Sequence, residues 1–334
     1  MPRAGIGADP NMSRTHPLER PFRRYARSFE RNLVPATEGA VEPLHQCRVA
    51  TRRLRELAPL LSAELGDKAV RKVRLRLRDV GRALGPVREL DVARGLLDEL
   101  TKDGLTPPDA VVRLRQHIVD LRTEARRGMI DGLDRSRSAK LGKRLREIGD
   151  ALGTGSGGAW SRTLSLRLSR RAQYLARTVE AAGAVYVPDR VHAVRIAAKK
   201  LRYTFELAVE AGATRRRVPV RQLKAVQDTL GRLHDIEVLA SLIQAYPLPP
   251  PPMPVWVAHV DDFRHRLETE CRRLHSEFIG DRRQLARAGA AATETAGRIW
   301  SRRPAADGIQ APLKMDLEPS DGAAVPPRRT ASGR

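Results

Sequence analysis

The chain repeats itself. His45, Arg48, Arg52, Arg53, Leu54 and Arg55 stand in the order HxxRxxx[RK][RK]LR, and so do His192, Arg195, Lys199, Lys200, Leu201 and Arg202. The offset is 192 − 45 = 147 residues. A second block follows each first one. Leu84-Gly85-Pro86-Val87-Arg88-Glu89-Leu90-Asp91-Val92 matches Leu230-Gly231-Arg232-Leu233-His234-Asp235-Ile236-Glu237-Val238, at 230 − 84 = 146. Between the blocks, Arg71 matches Arg217 and Leu77-Arg78 matches Leu223-Lys224. Two blocks in one order at nearly one offset read as an internal duplication, so the fold must accommodate two related halves. The run Gly153-Thr154-Gly155-Ser156-Gly157-Gly158 lies between them and has the composition of a flexible linker.

Periodicity and breakers predict helices throughout. In the first copy they cover about 17–34, 42–66, 67–84, 87–101, 109–135 and 138–152. In the second they cover about 160–183, 189–211, 216–231, 233–246 and 255–289. Pro35 and Gly39 are read as ending the first helix. Gly85 and Gly231 are read as left-handed C-caps that separate two helices each. The Pro-rich stretch 247–254 is a further break. The predicted division is a disordered N-terminus over 1–16, a folded region over 17–290 and a disordered tail over 291–334. Within the folded region the first half covers 17–152, the linker 153–159 and the second half 160–290.

The spacing gives the repeated helix two faces. His45, Arg48, Arg52 and Arg55 stand at i, i+3, i+7 and i+10. At about 100° per residue they fall within a wedge of roughly 80°. Cys47, Ala50, Leu54, Leu57 and Leu61 fall opposite. The second copy opposes His192, Arg195, Lys199 and Arg202 to Val194, Ala197, Leu201 and Phe205. The cationic stripes are read as lacking acidic compensation within their own helices, so each repels itself. An anion would supply the missing charge, and the planar fork of Arg suits phosphate oxygens. A charge run usually means a solvated face, but a solvated face has no reason to repeat His, Arg and doublet in register. The Leu-Gly blocks admit both a structural helix joint and ligand contact.

Composition agrees. Lys and Arg number 62 against 39 Asp and Glu, a net charge of +23, which favours a polyanion as partner without choosing among nucleic acid, anionic membrane and polyphosphate. Aromatic residues make up 4%, too few for an obvious base-stacking surface. The two cysteines, Cys47 and Cys271, form no CxxC, and no signal-peptide core or 18-residue apolar run is present, so a cytoplasmic location is expected. No P-loop, GxSxG or GxGxxG occurs, and no cofactor is expected. His234-Asp235 has the form of a metal-binding HD dyad, but its counterpart is Arg88-Glu89, and Arg cannot hold a metal. His259, Asp262 and His265 share a helical face and His275 lies further on, without a supporting HExxH. No nucleophile or carboxylate stands beside both His45 and His192, so no catalytic or metal-binding residue is assigned.

The paired HxxRxxx[RK][RK]LR and LGxx[RH][DE]x[DE]V blocks resemble the CHAD domain, a histidine-containing α-helical domain, over residues 17–290. The resemblance implies an all-α fold of two pseudo-symmetric, four-helix-type bundles around a basic central cavity or groove. It also implies non-catalytic binding of inorganic polyphosphate and association with polyphosphate granules. Carried over by position, His45, Arg48, Arg52, Arg55, Arg78 and Arg88 would serve the first half, with Glu89 in place of the family's usual Asp. His192, Arg195, Lys199, Arg202 and Lys224 would serve the second, and Arg71 and Arg217 join through the repeat alignment. Many relatives carry a CYTH triphosphatase domain with an ExExK signature. That signature is absent here, so hydrolase activity is not carried over.

Overall fold

The computed structural model describes residues 15–153, 157–246 and 254–301. Most of the predicted disorder at both ends and of the Pro-rich break, and residues 154–156 of the linker, fall outside these residues. Among the described residues the secondary structure is helical, without strands. The helices are α1 (Glu19–Glu38), α2 (Val41–Leu65), α3 (Asp67–Leu100), α4 (Pro108–Gly132), α5 (Arg135–Gly153), α6 (Ala159–Ala182), α7 (Pro188–Glu210), α8 (Val218–Gln244) and α9 (Pro254–Ser301).

The apolar stripes drive the packing. Leu44, Cys47, Ala50, Leu54, Leu57 and Leu61 of α2 are all buried, as are Val194, Ala197, Leu201 and Phe205 of α7. Each fully buried Leu or Phe contributes about 1.5–3 kcal/mol before conformational entropy is counted. In the first half α1 packs on α2, α2 on α3 and α3 on α4, and α5 returns onto α1 and α3. In the second, α6, α7, α8 and α9 pack in succession and α9 closes onto α6. The halves meet through α2 with α6 and α7, α3 with α8, and α4 with α9. One buried cluster runs from Leu18 to Ile299 across both halves.

Several predicted breaks are absent. α3 continues through Gly85-Pro86, α8 continues through Gly231, and α1 runs past Pro35 to a left-handed cap at Gly39 with φ 103°. Neither Gly85 nor Gly231 has a positive φ. Pro86 is exposed, as is Arg82, the residue whose carbonyl loses its helical donor, and an exposed helix face is the cheapest place for such a loss. Gly85 has a packing role instead: a Cβ there would lie 3.0 Å from Nη1 of Arg48. A Cβ at Gly231 would meet nothing within 4 Å, and nothing in the packing explains that glycine.

The predicted outer boundaries also shift. α9 extends to Ser301, beyond the expected tail start at 291. Ala292, Ala296 and Ile299 are buried, and the Ser165 hydroxyl donates to the Ala296 carbonyl at 2.7 Å. His16, expected in a disordered terminus, is buried, and its Nδ1 accepts from the Leu18 N–H at 3.1 Å.

Charge pairs hold the halves together around this core. Glu56 of α2 accepts from Arg171 at 2.6 Å and Arg167 at 3.0 Å, both on α6. Arg53 pairs with Glu206, Arg24 with Glu210 at 2.8 Å, and Arg232 grips Glu99 with two bonds of 2.8 Å. Burial pushes the Glu56 carboxyl up, but the Arg171 and Arg167 guanidiniums overcome it and bring it from an ordinary 4.5 to about 2. A folded-state value below the unfolded one stabilises the fold above the unfolded value, and the benefit disappears as pH falls through the folded one. Glu56→Gln should therefore cost about 3 kcal/mol near neutrality. In urea unfolding the gap between variant and wild type should be full above pH 4.5 and close as pH falls toward 2. Equal stability at pH 7 would show that the pair does not hold the halves.

Candidate anion-binding site

The two cationic stripes converge. α2 and α7 turn His45, Arg48, Arg52 and His192, Arg195, Lys199 away from the core onto the junction of the halves, where α3 and α8 bring Arg88, Glu89, His234 and Asp235. Arg48 lies across α3 and donates from Nη1 to the Gly81 carbonyl at 3.4 Å, above the space left by Gly85. None of Arg48, Arg52, Arg88, Arg195 and Lys199 forms an ion pair with a carboxylate among the described residues.

The electrostatics record the crowding. Burial pushes Lys199 well below its ordinary range, and Arg52, Arg195, Arg48 and Arg202 push it the same way. Two of those four arginines belong to the other half. Burial, then Arg52, Arg88 and Arg195 lower Arg48 to about 10 against the pull of Glu89. Arg195 is lowered by burial and Arg52, with Asp235 opposing. A guanidinium keeps its proton near neutrality, so these shifts measure repulsion and lost hydration. Burial also lowers His45, with Arg88 next in effect, and lowers His192, with His234 next. The His192 and His234 rings are 5.0 Å apart.

Asp235 is a partial counterweight. Burial raises its carboxyl while Arg195, His234, Arg88 and Lys199 favour its charged form. It faces cations, which gives the HD pair a charge-balancing role in this setting. Among the described residues no three His, Cys, Asp or Glu side chains are grouped to hold a metal ion. His275 is buried against the rings of Tyr186 and Phe278.

Other expected site residues lie apart from this centre. Arg78 is half-buried with Asp79 at 3.8 Å, and Lys224 is exposed and paired with Asp228 at 2.7 Å. Arg71 and Arg217 are exposed. Arg71 stands 17 residues along α3 from Arg88, which is about 25 Å of helix. Arg55 lies over α3, with Nη1 3.8 Å from the position of a Cβ at Gly81. Arg202 is paired with Glu206 at 3.3 Å, so its stripe does have acidic compensation on its own helix. Glu56 likewise stands four residues after Arg52, although it points to α6.

Two participants carried no signal in the stripe pattern. Glu206 joins Arg202 of its own helix to Arg53 of the other half. Tyr203 is 6% exposed, and its hydroxyl accepts from Arg52. The guanidiniums of Arg53, Arg202 and Arg52 lie 4.6, 4.9 and 5.4 Å from its ring centre. Tyr203 could have been noticed by position: it follows Lys199 by four residues, as Glu56 follows Arg52.

Residues 22–244 match the CHAD domain family, about two-thirds of the chain. The uncharacterized proteins MT2285 and Rv2226 of Mycobacterium tuberculosis are each 30% identical to it over 208 residues, 59% of this chain and 39% of theirs. The chain thus spans about two-fifths of the length of the curated relatives it matches. Among solved structures, the crystal structure of the CHAD domain from the plant Ricinus communis has a TM-score of 0.59 at 23% identity, covering 84% of this chain and 94% of that one. PptA from Streptomyces chartreusis has a TM-score of 0.50 at 18% identity, covering 84% and 98%. At these identities the likeness is one of fold, and it agrees with the all-helical architecture. The family match reaches half of the chain and more, and the chain belongs to the CHAD domain family.

Proposed function

We infer that this protein binds inorganic polyphosphate at the junction of its halves, through Arg48, Arg52, Arg88, Arg195 and Lys199 with His45 and His192, and performs no chemistry on it. The observation that carries this reading is the half-buried cation group without paired carboxylates, drawn from both halves. Such a group is costly unless an anion completes it. A linear polyanion with a charge on every phosphate suits a row of cations better than one compact phosphate does. Arg55, Arg71, Arg78, Arg217 and Lys224 would then serve as outlying contacts along α2, α3 and α8. Arg202 would act mainly through its pairing with Glu206.

Binding to a polyphosphate should be steeply salt-dependent, because each neutralised charge releases counterions. Titration of labelled polyphosphate at two salt concentrations measures the slope. The Arg52→Ala, Lys199→Ala double variant should bind at least tenfold more weakly, with a shallower slope. Unchanged affinity in that variant would overturn the reading. Duplex DNA or RNA that displaces polyphosphate at equal phosphate concentration would shift it to nucleic acid. Phosphate release during incubation with a divalent metal would overturn the non-catalytic part.

The pKa directions add a second expectation. Lys199, His45 and His192 are held below their ordinary values in the free protein, and a bound polyanion must raise them. Binding should therefore take up protons, and affinity should fall as pH rises. Calorimetry in two buffers of different ionisation enthalpy measures the uptake. Proton release on binding would contradict this placement of Lys199 and the histidines.

A further inference from the structure

Tyr203 occupies an unusual place for a phenol. It lies on α7 at the heart of the junction, 6% exposed, with three guanidiniums around its ring. Two of the three are neutralised: Arg53 and Arg202 share the Glu206 carboxylate. The third, Arg52, comes from the opposite half and forms no ion pair among the described residues. It is held instead by Tyr203, whose hydroxyl accepts its Nη1 hydrogen and whose ring face lies beneath its guanidinium.

The repeat supplies the contrast. At the main offset Tyr203 falls on 203 − 147 = 56, and Glu56 also reaches across the junction to arginines of the other half. Glu56 cancels charge on Arg167 and Arg171, which lie outside the central cation group. A carboxylate at 203 would do the same to Arg52, within that group. A phenol differs in the property that matters: its oxygen and ring face attract a guanidinium, yet it carries no charge with which to neutralise it. A long side chain such as Arg loses much rotamer freedom when fixed, and holding it before the ligand arrives removes that cost from binding.

We propose that Tyr203 is a positioning residue of the polyanion site, which fixes Arg52 across the junction while leaving its positive charge available to the ligand. The proposal rests on the polyphosphate reading above. Arg52 also lowers Arg48, Arg195 and Lys199, so its position sets the potential at the centre of the site.

The test is a double-mutant cycle on polyphosphate binding with Tyr203→Phe and Arg52→Ala, each variant first checked by thermal unfolding. Tyr203→Phe keeps the ring and removes the acceptor, and should weaken binding by about tenfold. In the Arg52→Ala background the same change should have no further effect, a non-additivity that a merely structural role would not produce. Tyr203→Gln and Tyr203→Glu form a second pair of matched shape, which keeps the question answerable should the Phe variant fold poorly. Both retain an acceptor, but Glu should reduce the salt slope by roughly 0.7–0.9 relative to Gln, equivalent to one lost contact. Wild-type affinity in Tyr203→Phe, an equal loss in both backgrounds, or equal slopes for Gln and Glu would overturn the role of Tyr203 alone. No binding of polyphosphate by the wild-type protein would overturn the functional reading, and this role with it.

Discussion

Like charges crowded at a buried junction are the constraint on which the rest of the structure turns. Lys199 is desolvated among Arg48, Arg52, Arg195 and Arg202, and two of these come from the opposite half. Unpaired charge that is half-buried among like charges destabilises a fold, and the fold has to draw its stability from elsewhere. It does so with one apolar core continuous through both halves and with a ring of neutralised pairs around the junction. Glu56 with Arg167 and Arg171, Glu206 with Arg53 and Arg202, and Glu99 with Arg232 all bridge helices, while the central cations are left without such partners. Acidic residues are therefore present close by, placed so that they fasten the frame and leave the middle charged.

The halves share a motif without sharing its balance of charge. Asp91 of α3 is buried and held by Arg122 at 2.6 Å. Its counterpart Glu237 of α8 accepts instead from the Tyr186 hydroxyl at 2.7 Å and lies 3.7 Å from His234. Glu56 and Tyr203 differ in the same sense. At these two repeat positions the first half places an ion pair where the second places a contact with a tyrosine hydroxyl.

Much of this was legible in the sequence because helical spacing alone separates the faces. His45, Arg48 and Arg52 fall opposite Cys47, Ala50 and Leu54, and the latter three are buried. Where local rules were applied alone, they misled. Gly85-Pro86 has the composition of a helix end, yet α3 passes through it because Pro86 faces solvent and Gly85 makes room for Arg48. That reason lies on another helix and has no trace in the local pattern. The cross-junction roles of Glu206 and Tyr203 escaped for a similar reason, since Arg53 and Arg52 are more than 100 residues away, although the pairing of Glu206 with Arg202 is a local i,i+4 one. Arg71 and Arg217 were paired by alignment, but position in a repeat does not carry a side chain about 25 Å along its helix to the centre.

The central claim is that the fold keeps uncompensated, half-buried charge for the sake of an anion. The most direct measurement is the melting temperature of Lys199→Met, with and without polyphosphate. Methionine keeps most of the volume and removes the charge. The account predicts that the free variant melts above the free wild type, and that added polyphosphate stabilises it less than it stabilises the wild type. A variant that melts lower than the wild type, yet is stabilised as strongly by polyphosphate, would contradict it.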